Sequence, residues 1–173
     1  LLIVDVGSQV TQLIARRVRE AHVFCEVHPC DVSDEWVRTY AADGNLKGII
    51  LSGGPKSVHV DGAPSLDPGI YELGIPLLGI CYGAQLIGQQ LGGVVGRGMQ
   101  GEYGRARMTR TGPSLLLPDD APQEHDVWMS HFDGVTEAPA GFTVTATTPG
   151  APVAVLENDE RRIYGVQFHP EVV

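Results

Sequence analysis

Three short stretches carry residue types that could do covalent chemistry together. The segment GICYG, Gly79 to Gly83, sets a thiol at Cys81 between glycines two positions before it and two after it. It follows the apolar run IPLLGI and precedes a helical pattern from Tyr82 to Leu91. In such a strand–turn–helix context, G-x-nucleophile-x-G forms an elbow too tight for side chains on either side. A thiol there sits at a helix N-terminus, where the helix dipole favours thiolate. The main-chain N–H of Tyr82 would point to where an oxyanion forms. The plainer alternative is a buried core cysteine.

A cysteine nucleophile needs a base and a group to orient that base. QFHPEVV, at the end of the chain, offers both. Pro170 pushes His169 into extended backbone, and residues two apart on an extended chain project to one side. His169 and Glu171 can then hydrogen-bond, leaving the second imidazole nitrogen for the thiol. A satisfied histidine and a solvated glutamate at a strand end are the alternative. The third stretch, LSGGP (Leu51 to Pro55), is a Gly-Gly turn at a strand's C-terminal end, where ligands of open α/β sheets collect. Gly54 can turn its N–H into a cavity as a second oxyanion donor. Pro55, Lys56 and Ser57 after the glycines do not fit a phosphate-binding loop.

Other constellations are weaker. His22, Cys25, His28 and Cys30 match no zinc spacing, and a strand over HVFCEVHP puts His22 and His28 on one face with Cys25 on the other. No metal site is expected. Ser130 lacks an elbow, so SHFD (Ser130 to Asp133) is expected to be a substrate-shaping loop.

These residues need elements to position them. LLIVDV reads as a strand covered on both faces. A helix follows, with Val10, Leu13, Ile14, Val18 and Ala21 at helical spacing and Arg16, Arg17 and Arg19 mostly on a solvated side. HVFCEVHP reads as a strand, SDEWVRTY as a short helix, LKGIILSGGP as a strand, DPGIYELG as a helix and IPLLGI as a buried strand. Beyond Leu91, EYGRARMTR, HDVWMSH, FTVTATT, PVAVLEN and RIYGVQF are strand-like pieces between Gly and Pro turns. The expected architecture is α/β: a mostly parallel sheet flanked by helices, with an added antiparallel region, in one domain.

The totals agree. The chain has 173 residues, 43% of them hydrophobic, and a formal net charge of -9, which repels phosphate backbones and argues against nucleic-acid binding. No apolar run approaches the roughly 20 residues that span a bilayer, so no membrane partner is expected. The opening has Asp5 and no basic stretch, unlike a secretion signal. Three cysteines without such a signal suggest reduced thiols and a cytoplasmic setting. The missing initiator Met and the stop after HPEVV suggest a fragment of something longer.

GICYGAQ, LSGGP and YGVQFHPEV together resemble the class I (triad) glutamine amidotransferases, over nearly the whole chain and in the right order. LLIVDVGSQVTQLIARRVRE and DVWMSH are similar to the glutaminase domains of GMP synthases. The resemblance implies a flavodoxin-like fold and an amidotransferase domain over 1–173. It implies Cys81 as nucleophile toward the side-chain amide of L-glutamine, His169 as proton relay, Glu171 as its orienter, and Gly54 and Tyr82 as oxyanion donors. It also implies substrate contacts at Gln85, Ser130, Phe132 and Asp133. No cofactor is implied for this part. ATP and magnesium would act on a synthetase domain or subunit that receives ammonia and aminates xanthosine monophosphate to GMP. Phe132 departs from the family pattern, which has glycine there. If that position needs positive φ or close approach by substrate, phenylalanine is strained and glutamine binding weak. The alternatives are an amidotransferase of another pathway, a γ-glutamyl hydrolase, or a non-catalytic regulatory or assembly module.

Overall fold

The computed structural model describes residues 1–54 and 56–172, with backbone alone over 97–99. Pro55, the last residue of LSGGP, and Val173 lie outside the described residues. The run LLIVDV forms β1 (Leu2–Asp5), whose side chains alternate between two apolar cores. Leu2 and Val4 enter one and Ile3 the other, because strand side chains alternate faces. Both faces are covered, so an unbroken apolar run is what such a strand requires.

Helix α1 (Thr11–Glu20) buries Ile14 and Ala15 in the core that holds Ile3. β2 (Glu26–Pro29) follows, then α2 (Asp34–Tyr40), which is opened by Ser33 accepting from the N–H of Trp36. β3 (Ile49–Leu51), a 3-10 turn (Pro68–Glu72), β4 (Leu77–Ile80) and α3 (Tyr82–Gln90) complete the first half. The second half is all strand: β5 (Val94–Arg110), β6 (Glu124–Glu137), β7 (Thr143–Thr147), β8 (Val155–Asn158) and β9 (Ile163–Val166).

One nine-stranded sheet results, in the order β2-β1-β3-β4-β9-β8-β7-β5-β6. The pairings from β2 to β9 are parallel and the remainder antiparallel. The consequence for a site is the position of β9. It lies beside β4, so the tail bearing His169 emerges next to the turn that leads into α3. The N–H of Cys81 bonds Val166 O at 2.8 Å across that seam.

Several expected elements differ. HVFCEVHP is strand only over Glu26–Pro29; His22 is left-handed at φ 60°, so the chain is still turning there. His22 and Cys25 therefore share no strand with His28. Cys25 is buried and its Sγ contacts Ala15 O at 3.6 Å, whereas His28 packs 4.6 Å from the Trp36 ring. DPGIYELG forms a 3-10 turn capped by the Asp67 carboxylate rather than an α-helix. SHFD is not a loop but lies inside β6, and the irregularity is in its partner. Arg97 pairs with Asp133 and Glu102 with His131, so residues 98–101 of β5 stand against Phe132 alone.

Candidate active site

The elbow is present at the end of β4. Cys81 has φ 52° and ψ −104°, one of three left-handed non-glycine residues among those described. The flanking glycines are required by contact. A Cβ at Gly79 would lie 2.5 Å from the backbone of Gly83, and one at Gly83 would lie 2.6 Å from Leu51 O on β3. The strand, the helix and the neighbouring strand thus meet with no room for side chains. Cys81 is 5% exposed, and its sulfur lies 3.7 Å from Ser130 O on β6.

His169 follows the β9 strand. Its N–H bonds Trp128 O of β6 at 2.8 Å, which fixes the backbone, and its Nδ1 meets Glu171 Oε1 at 2.8 Å. Both side chains are buried. With Nδ1 committed to the carboxylate, Nε2 is the nitrogen left for the thiol. Burial alone would lower the His169 pKa. Hydrogen bonds and charge from the Cys81 sulfur and from Glu171 overcome that and raise it to about 10. Glu171 is itself tied down, since its carbonyl accepts from Arg17 Nε of α1 at 3.0 Å. The solvated face expected for Arg17 is only part of its role; it bonds Glu20 there but also holds the tail.

Gly54, Tyr82, Gln85, Ser130, Phe132 and Asp133 all line one cavity with Cys81, of about 370 Å³. Tyr82 is the first residue of α3, where backbone N–H groups lack intrahelical acceptors. Gly53 faces the site as well: a Cβ there would lie 3.2 Å from His169 Cε1 and 3.8 Å from the Cys81 Cβ. A second cavity of about 280 Å³, lined by Ser8, Gln9, Trp128, His169 and Val172, also reaches Gly54, Cys81 and Ser130. The sulfur therefore stands at the junction of two openings.

Phe132 is not left-handed, so the anticipated backbone strain is absent. The residue is 48% exposed and its ring lies against Gly101, where a Cβ would come within 2.9 Å of Phe132 Cδ2. The bulged strand β5 supplies the space instead of β6.

Several residues near the site have no individual role legible in the sequence. Lys56, Ser57, Tyr103 and His131 line the larger cavity. His131 is buried between Glu102 Oε2 and Asp133 O, each 3.0 Å from a ring nitrogen. Gln167, 1% exposed, places its amide 3.6 Å from the Cys81 sulfur. The legible signal for Gln167 was its place in the QFHPE segment, two residues before the histidine. Among the described residues, no group of three or more His, Cys, Asp or Glu could hold a metal ion. No helix among them is long and apolar enough to cross a membrane.

The family model for glutamine amidotransferase class-I matches residues 2–173. The chain is 54% identical, over 99% of its length, to a GMP synthase [glutamine-hydrolyzing] from Albidiferax ferrireducens, and 55% identical over all of it to one from Symbiobacterium thermophilum. It spans 33% of each, about a third of the curated relatives it matches. Among solved structures, one from Thermoplasma acidophilum, provisionally designated a GMP synthase subunit, superposes with a TM-score of 0.82 at 30% identity, covering 99% of this chain and 85% of that one. A glutamine amidotransferase from Thermotoga maritima, at 20% identity and TM-score 0.75, covers 99% of this chain and 76% of that one and shares the fold. With an elbow cysteine, a His–Glu pair behind it and a match along all but its first residue, the chain belongs to the class-I glutamine amidotransferase family.

Proposed function

We propose that this chain hydrolyses the side-chain amide of L-glutamine on Cys81 and passes the ammonia to an ATP-dependent synthetase part, which aminates xanthosine monophosphate to GMP. The observation that carries the glutaminase reading is the meeting of Cys81, which lines a cavity of about 370 Å³, with His169, whose imidazole interacts with the Cys81 sulfur and is held at Nδ1 by Glu171. The names of the relatives, of which the chain spans a third, support the synthetase and its product.

The Cys81 thiolate attacks the amide carbon, and the N–H groups of Gly54 and Tyr82 take the negative charge that moves onto oxygen. The His169 imidazolium gives its Nε2 proton to the amide nitrogen. Ammonia leaves and a γ-glutamyl thioester remains. Neutral His169 then takes a proton from water, the resulting hydroxide attacks the thioester carbon, and the thiolate departs as glutamate forms. Glu171 holds the imidazole in orientation and balances its charge in both halves. Asp133 and the Gln85 carbonyl suit the substrate ammonium, and Lys56 its carboxylate. ATP and magnesium belong, in this reading, to the synthetase part. The three cysteines are free thiols, and we place the protein in the cytoplasm, without nucleic-acid or membrane partners.

A glutamine-analogue electrophile tests the core of this reading. It should label the Cys81 peptide ahead of Cys25 and Cys30, and L-glutamine should protect. Cys81→Ala should abolish glutamate release, and so nearly should His169→Ala, because nucleophile and base act as a unit. Labelling at Cys25 first, or glutamate release that survives Cys81→Ala, would overturn it.

A further inference from the structure

The sulfur of Cys81 has a neighbour that the mechanism above does not use. Gln167 follows β9, and its N–H bonds Ala154 O at 2.8 Å, so its backbone is fixed in the sheet seam. Its side chain is enclosed, with Nε2 at 3.6 Å from Cys81 Sγ. A side-chain amide can present either its N–H or its carbonyl to a neighbour, and the choice decides whether the sulfur meets a donor or an acceptor.

A chain of hydrogen bonds makes that choice. The Asp133 carbonyl can only accept, so the amide of Gln85 must turn its Nε2 toward it, at 2.7 Å. The other N–H of that nitrogen donates to Gln167 Oε1 at 3.4 Å. With its carbonyl engaged there, Gln167 has only N–H to offer the sulfur. The Asp133 carbonyl is itself anchored by the His131 ring nitrogen at 3.0 Å, and His131 by Glu102. A donor aimed at sulfur favours the thiolate, since hydrogen bonds to a charged acceptor are the stronger ones.

We propose that Gln167 is a positioning residue that holds the Cys81 thiolate through its side-chain N–H, in an orientation dictated by Gln85. The inference rests on the reading of Cys81 as nucleophile. Gln85 also lines the substrate cavity, so occupancy of that cavity and the donor on the sulfur are joined through one side chain.

The test is the pH dependence of iodoacetamide alkylation at Cys81, followed by peptide mapping and needing no glutamine. Gln167→Leu removes the donor, and the midpoint should rise by about one pH unit. Gln167→Glu keeps the shape and the acceptor toward Gln85 but sets a carboxylate against the sulfur, so its midpoint should rise at least as far. Glutamate release should fall in kcat more than KM changes. A packing role alone would lower Tm and leave the midpoint in place. In the unsubstituted chain, the Gln167 side-chain amide signals in NMR should shift with pH through the alkylation midpoint. Lys56, Tyr82, Tyr103, His131 and Asp133 around the cavity, and His169 with Glu171 at the sulfur, are the same in every variant. An unmoved midpoint in folded Gln167→Glu, or amide signals blind to that titration, would overturn the proposal. Absence of glutamate release with a shifted midpoint would instead overturn the glutaminase reading alone.

Discussion

At the scale of single residues, His169 is the group whose state reports on the whole site. Its pKa is held up near 10 against burial by two partners, the Cys81 sulfur and the Glu171 carboxylate. Removing one partner should leave part of the effect. In an NMR titration of the ring, Cys81→Ala should bring the His169 midpoint down, with Nδ1 still bonded to Glu171. An unchanged midpoint would mean that the sulfur contributes nothing. Gly54 is of another kind, because its side chain does no chemistry. A Cβ there would lie 3.1 Å from Tyr82 Cγ and 3.1 Å from Val6 O, so the backbone approaches where any side chain would crowd it.

At the scale of elements, the β5–β6 ribbon forms the wall opposite the elbow, and two substitutions probe it. Phe132 sits in regular strand backbone beside Gly101. Phe132→Gly should therefore relieve no strain and should destabilise the chain by about 1 kcal/mol in chemical denaturation, as glycine does inside a strand. A gain in stability would restore the strained-loop expectation. Glu102 is the ribbon's anchor: its carboxylate accepts from Thr148 Oγ1 at 2.6 Å and from the N–H of Gly150 at 3.0 Å, besides meeting His131. Glu102→Ala strands several buried donors and should cost about 3 kcal/mol. Glutamine KM should rise because the cavity wall shifts, and kcat should fall as well because Glu102 anchors His131 in the hydrogen-bond chain that reaches Cys81.

The same elements show what was legible in the chain. The elbow, β1 and α3 were readable because apolar periodicity and close glycines are local signals. His169 and Glu171 were readable because an X-Pro step fixes backbone and a two-residue spacing fixes faces. DPGIYELG was less so: Pro68 and the Asp67 cap favour a helical start, but Gly74 at φ 68° ends it after the 3-10 turn. The partners of Arg17 and Gln167 could not be assigned, because Glu171 and Cys81 lie 154 and 86 residues away in the chain. For SHFD the irregularity sits on β5, and no property of those four residues announces it.

At the scale of the molecule, the sheet's last strand returns to its first half. A Cβ at Gly88 of α3 would lie 2.9 Å from Val135 Cγ2 of β6, so the edge strand is packed beside the helix that starts after Cys81. Titration in the site is therefore tied to unfolding of the whole. His169 has a folded pKa raised above its unfolded value near 6.5. Its contribution to stability is full below about pH 6.5, declines as pH rises, and is gone above about pH 10. The difference in unfolding free energy between the chain and His169→Gln should shrink over that window, and a difference constant with pH would refute the linkage. The elbow draws on the same global stability in another way. Cys81 occupies a dihedral region that costs a non-glycine side chain about 1–3 kcal/mol. Function and robustness are thus in opposition at one position: the residue proposed as nucleophile is one the fold would do better without. Glycine is ordinarily the less stable of the pair glycine and alanine, yet here Cys81→Gly should melt above Cys81→Ala by a few degrees, and both should be inert.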